Sequence, residues 1–139
     1  MFNDSTDGRE FLGVGWNFPL ALDRDGSIAQ VAYEEDIRQA IHIILGTDPG
    51  ERVMRPDFGA GLRAFLFEPL STATMMLVRQ RVEQALIRWE PRIEVMEVTV
   101  TADDRELGKL LINIRYRVRS TNTFYNLVYP FYLAEGERP

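Results

Sequence analysis

Apolar positions along the chain form an irregular run first, then two stretches of helical period, then stretches of period two. The irregular run is Phe11-Leu12-Gly13-Val14-Gly15-Trp16-Asn17-Phe18-Pro19-Leu20. Gly and Pro deny it a helix, and an extended course puts Trp16 and Phe18 on one face. Turn chemistry at Asp23-Arg24-Asp25-Gly26 then predicts a hairpin whose second arm is a short strand from about Ser27 to Ala32. A first helix is predicted from Glu34 to Leu45. Ile37, Ala40, Ile41 and Ile44 recur at i, i+3, i+4, i+7, and Glu34, Glu35 and Asp36 suit the positive end of its dipole. Gly46 is placed to stop it in the left-handed conformation.

From Glu51 to Pro69 no regular element continues, because Arg55-Pro56-Asp57-Phe58-Gly59-Ala60-Gly61 carries one proline and two glycines. Leu62, Phe65, Leu66 and Phe67 predict one short helical turn before Pro69, in an ordered loop pinned by its aromatics. The second helix begins at a cap on Ser71 or Thr72. It keeps Met75, Val78, Val82, Ala85, Leu86 and Trp89 on one face and ends where Pro91 pushes Glu90 out of helical geometry. Three strands follow. Ile93 to Thr101 changes phase near Val95, which predicts a bulge. Leu110, Ile112, Ile114, Tyr116 and Val118 alternate with polar residues, and Tyr125, Leu127, Tyr129, Phe131 and Leu133 mark the last strand. Pro130 cannot donate to a ladder, so that strand is expected at an edge. Together these predict an α+β fold: two main helices on a largely antiparallel sheet, with an N-terminal hairpin and three C-terminal strands. Residues 1–10 read as a flexible arm and residues 11–139 as one domain.

Composition narrows the chemistry. Hydrophobic residues make up 45% and charged residues 27%, ordinary for a globular protein. There is no cysteine, which excludes thiolate catalysis and Cys-based metal sites, and one histidine, His42, which excludes multi-histidine sites. Sixteen basic against 21 acidic residues give a net charge of −5. That balance disfavours nonspecific nucleic-acid binding and polybasic docking to anionic lipid. No apolar run approaches the roughly 20 residues of a membrane span, and residues 1–7 lack the features of a secretory signal. The expectation is a soluble domain made in the cytoplasm, without cofactor or metal.

Few groups are arranged for catalysis. Gly13-Val14-Gly15 lacks a third glycine and a following helix, so a turn is preferred to a phosphate loop. His42 sits off the buried stripe with no nucleophile motif to serve. Glu68 and Glu90, each before a proline, are the best nominees for a hydrolytic carboxylate pair, with structural use preferred. Arg115, Arg117 and Arg119 project at a spacing of two. A solvated face and a docking site for an acidic partner both remain open, since three like charges repel unless neutralised. Trp89-Glu90-Pro91-Arg92 joins an aromatic anchor to a fixed bend between opposite charges, either a helix terminus with a local ion pair or a rigid contact element.

An ordered series of motifs resembles a known family. It comprises the 11–19 run, Asp36-Ile37-Arg38-Gln39-Ala40-Ile41, the stretch from Leu45-Gly46-Thr47-Asp48-Pro49-Gly50 through Phe58-Gly59-Ala60-Gly61-Leu62, Phe67-Glu68-Pro69, and Trp89-Glu90-Pro91-Arg92-Ile93. The chain resembles the small baseplate wedge proteins of contractile phage tails and related injection systems, the family named for W and gene-product twenty-five. The resemblance implies a structural role between the helical core bundle of larger wedge subunits and the first sheath ring, whose assembly it would template. It implies that Glu90, Pro91 and Arg92 contact the bundle. It further implies that the C-terminal strands, with Arg115, Arg117, Arg119, Phe124, Tyr125 and Tyr129, face the sheath protein. Other wedge subunits, hub or spike proteins and several copies in a ring are the implied neighbours. Some members carry a lysozyme label, so a small peptidoglycan hydrolase is the alternative, and a regulatory binding domain a third. Arg92 is expected to pair with a carboxylate in a dry subunit contact.

Overall fold

The computed structural model describes residues 25–50 and 55–134. Its elements are helix α1 (Asp25–Gly46), a 3-10 turn (Leu62–Phe65), helix α2 (Thr72–Trp89), and strands β1 (Ile93–Ala102), β2 (Lys109–Val118) and β3 (Thr123–Tyr132). The fold class is α+β, as expected. Contacts divide the chain into two units, Met1–Ala40 and Ile41–Pro139. α1 begins in the first, and the loop, α2 and the sheet lie in the second.

α1 starts well before Glu34 and absorbs the stretch from Ser27 to Ala32 that was expected to be a strand. Ala29, Gln30 and Ala32 are good helix formers, and no breaker separates them from Glu34. A polar pair one turn apart supports the extension, Gln30 Nε2 donating to Glu34 at 3.3 Å. The other arm of the expected hairpin, residues 11–20, lies outside the described residues, as do the glycines at 13 and 15 and the arm at 1–10. Ile37, Ile41, Ile44 and Leu45 are buried, close to the expected stripe.

Gly46 ends the helix without the left-handed turn expected of it; among the described residues, the left-handed glycines before α2 are Gly50, Gly59 and Gly61. The helix's last carbonyls are taken by the returning loop instead. The Ala60 N–H donates to the Ile44 oxygen at 2.9 Å and the Gly61 N–H to the Thr47 oxygen at 3.2 Å. Gly59 makes this approach feasible, since a Cβ there would stand 2.3 Å from the Thr47 carbonyl oxygen. Phe65 is buried and pins the loop, whereas Phe67 is exposed.

α2 begins as expected, with the Ser71 hydroxyl accepting from the Thr74 N–H at 3.2 Å. Val78, Val82, Ala85 and Leu86 form its buried face. The sheet order is β1-β2-β3, antiparallel throughout. The bulge expected near Val95 is present: Val95 pairs with Tyr116, Glu97 with Arg115, and Met96 is the extra residue that reconciles the two phases. β2 is the central strand, with Leu110, Ile112, Ile114, Tyr116 and Val118 all buried. β3 is an edge among the described residues, with Pro130 opposite Leu111 as its sequence demanded. Past its end, the Leu133 N–H donates to Gly108 and the Ala134 N–H to Leu66, fastening the strand at both sides.

Truncating Ile112 to Ala removes side-chain volume where two strands and the inner face meet, so about 2–5 kcal/mol of stability should be lost. Val128→Ala on the exposed face should cost under about 0.5 kcal/mol. Urea unfolding of both variants with unchanged m-values checks this, and equal losses would contradict the assigned faces.

Candidate functional site

Pro91 stops α2 at Trp89, and the next residues fold into a tight acid–base clasp. The Glu90 carboxylate is only 3% exposed. Arg92 closes on it like a fork: Nε donates to Oε1 at 2.8 Å, Nη2 to Oε2 at 2.7 Å, and the Arg92 backbone N–H to Oε1 at 3.2 Å. Bidentate guanidinium–carboxylate pairing is among the stronger side-chain contacts, and here it joins residues two apart. Arg92, one-third exposed, is therefore paired within the chain, and its carboxylate comes from Glu90. This is the local ion pair that the sequence of this segment allowed.

The clasp is held from the sheet. The Arg119 N–H donates to the Arg92 carbonyl at 3.0 Å and Arg119 Nε to the Pro91 carbonyl at 3.1 Å. On its helix side Trp89 meets Phe58 at 5.1 Å between ring centroids, with the guanidinium groups of Arg55 and Arg88 over its ring at 5.1 and 4.6 Å. Arg88 also binds Asp57 at 2.5 Å. A shallow depression of about 220 Å³ beside α2 is lined by Asp57, Gly59, Arg81, Arg88 and Trp89 among others.

The arginine row separates into pairs. Arg115 binds Glu97 at 2.8 Å and Arg117 binds Glu94 at 2.6 Å, both across the β1–β2 ladder, while Arg119 leaves the row for the clasp. The anticipated repulsion is thus neutralised inside the chain. Hydrogen bonding and charge from Arg117 hold the Glu94 carboxyl below its ordinary range. Phe124 stands opposite Arg117 on the outer face and is 59% exposed. Tyr125 and Tyr129 point the other way. Tyr125 meets the ring of buried Tyr116 at 5.7 Å and Tyr129 meets His42 at 5.6 Å. Burial first, then the charge of Asp48, pushes the Tyr129 phenol up. The residues expected to face one partner therefore occupy two faces of the sheet.

Of the two nominated carboxylates, Glu68 is exposed and Glu90 is committed to Arg92. No group of three or more potential metal ligands occurs among the described residues. No described helix is long and apolar enough to cross a membrane. What the geometry offers is a rigid guanidinium-bearing bend and a strand edge. The tie from Arg119 to the bend was not legible, because only the β2 register carries it there.

Comparison with known proteins gives concordant matches. The family described as baseplate wedge protein gp25 matches residues 31–123. Baseplate protein W of Escherichia phage P2 is 37% identical over 80 residues, covering 58% of this chain and 69% of that protein. A crystal structure of a candidate tail lysozyme from Geobacter sulfurreducens shares 57% identity at a TM-score of 0.68, over 73% of this chain and 91% of the other. A chain of the anti-feeding prophage baseplate, seen by electron cryomicroscopy, shares 26% identity at a TM-score of 0.51, over 72% and 68% respectively.

The Glu94–Arg117 pair makes a demand on acid stability. A carboxyl whose folded pKa is depressed stabilises above its ordinary value of 4.5, and the contribution is lost as pH falls through the folded value. Glu94→Gln should lower the melting temperature at pH 7, and the gap to the parent should close toward pH 3. A gap independent of pH would show that the charge pair is not its origin.

Proposed function

The chain belongs to the baseplate wedge protein gp25 family, a structural component of contractile tails and related particles, and on that premise we propose that it joins the wedge core to the sheath. In this reading the Glu90-Pro91-Arg92 bend contacts the helical bundle of larger wedge subunits. The C-terminal strands receive the first sheath ring and template its assembly. The observation that carries it is the clasp: a buried carboxylate fixes a partly exposed guanidinium plane at the end of a proline-terminated helix, so the donor is pre-oriented before any partner arrives. For the sheath, the supporting feature is the β3 edge. An edge strand offers backbone groups to an added strand, and its exposed outer side chains Phe124, Val128 and Tyr132 supply specificity.

Arg115 and Arg117 serve that face as paired charges that set register, and Arg119 serves the wedge contact through the clasp. Tyr125 and Tyr129 act on the sheath side by packing the strand from beneath. Residues 11–139 constitute the wedge domain, carried in several copies in a ring with hub or spike proteins as further neighbours, and residues 1–10 an arm. Neither nucleic acid nor a membrane is a partner in this reading.

The hydrolase reading rests on the likeness to the candidate tail lysozyme. We prefer a non-enzymatic role because a general acid must present a protonatable carboxyl to a sugar oxygen, with a second carboxylate about 5–9.5 Å away. Glu90 instead spends both oxygens on one guanidinium.

Arg92→Ala strands a buried carboxylate and confounds folding with binding, so the informative change is Arg92→Lys, which keeps the charge and loses the fork. It should fold, yet fail to enter wedges; normal incorporation would refute the contact. Phe124→Asp with Val128→Asp should give baseplates without sheath, and normal sheaths would refute the strand reading. The purified parent should leave peptidoglycan intact; cleavage abolished by Glu90→Gln or Glu68→Gln would establish the hydrolase instead.

A further inference from the structure

α2 has a second patterned face that the sheet does not use. Opposite its buried residues, Ala73, Leu77, Gln80, Gln84 and Ile87 are all exposed. Their spacing alternates four and three residues, the period at which one helix keeps a straight seam against another. None of the five is charged, in a chain where 27% of residues are. Leu77 is 50% and Ile87 63% exposed, and Met76 beside them is exposed as well. A helix face that stays in water is normally charged, so an uncharged seam with leucine and isoleucine toward its ends is built to be covered.

We propose that this seam receives an amphipathic α-helix from a different baseplate subunit, lying along α2 for about 20 Å. The spacing suits a helix, whose own seam can follow this one along α2. The flanks select its charge. Arg81 and Arg88 border one side. Arg81 donates to the Ala60 and Gly61 carbonyls at 3.3 Å and covers the Phe65 ring, and it meets no carboxylate among the described residues. The incoming helix therefore carries Leu or Ile opposite Leu77 and Ile87 and carboxylates along the side facing Arg81. An amide or hydroxyl lies opposite Gln80 and Gln84, whose side chains need hydrogen bonds once buried.

A second copy of α2 fits less well. Antiparallel packing sets the arginine flank against itself, and parallel packing draws Glu83 away from Arg79, its partner at 3.1 Å. The seam shares no residue with the Glu90–Arg92 clasp, so the two contacts stand or fall separately.

The chain's lack of cysteine allows a single benzophenone to be attached at Leu77→Cys or Ile87→Cys in the full-length protein. In assembled particles, irradiation should give an adduct with an acidic helical segment of another baseplate subunit. An adduct with a second copy, an adduct with residues 1–24 of the same chain, or no protein adduct would overturn the proposal. Leu77→Glu should leave the melting temperature of the isolated protein unchanged and reduce incorporation about tenfold or more, the effect of losing roughly 1.4 kcal/mol of contact. Incorporation at the parental level would overturn it too. If Arg92→Lys assembles normally while Leu77→Glu does not, the clasp reading fails and the seam stands; the reverse result removes the seam alone.

Discussion

The two-faced alternation of β2 is the constraint on which the rest of the structure depends. Its inward residues, Leu110, Ile112, Ile114, Tyr116 and Val118, are all buried, and a shift of one residue would turn every one of them to water. That register forces the outward residues to be Arg115 and Arg117, and it places them across from Glu97 and Glu94. It also delivers Arg119, just beyond the strand, to the carbonyls of Pro91 and Arg92. Core packing, surface ion pairs and the support of the clasp are thus three consequences of one pairing.

The charged contacts differ in what they contribute. Pairs such as Arg115–Glu97 are more than half exposed on both sides, and pairs of that kind are worth about 0–1 kcal/mol. Their effect is to remove like-charge repulsion along the strand and to discourage register slips. The clasp is different because Glu90 is buried while Arg92 is partly exposed, so the fork keeps a desolvated charge matched. A guanidinium held this way has its geometry set before any partner arrives, as the proposed wedge contact requires. That suits a small subunit whose neighbours must find it in one orientation.

Legibility followed the range of the interactions. The cap at Ser71, the stop at Pro91 and the edge position of Pro130 depend on residues next to one another, and each was readable from local chemistry. The phase change at Met96 was readable because a bulge leaves a trace in the apolar pattern. The stretch from Ser27 to Ala32 was misread as a strand because a short run of alternating residues fits either period, and its neighbours in α1 decided the matter. Gly46 was misassigned for a related reason. The helix end is satisfied by Ala60 and Gly61, which no local motif announces.

By itself the sequence determined the α+β class, the two helices and three strands, the core residues of β2 and the motif series of the baseplate wedge family. All of these rest on periodicity or on residues close in the chain. Only the tertiary structure decided which charges meet. The Arg115 and Arg117 pairings, the split of Phe124 from Tyr125 and Tyr129, and the tie from Arg119 to the clasp all depend on strand register. The Glu90–Arg92 fork is the instructive intermediate. The residues are two apart and an ion pair was foreseeable, but whether Arg92 turned inward to Glu90 or outward to a partner depended on how deeply the end of α2 was buried.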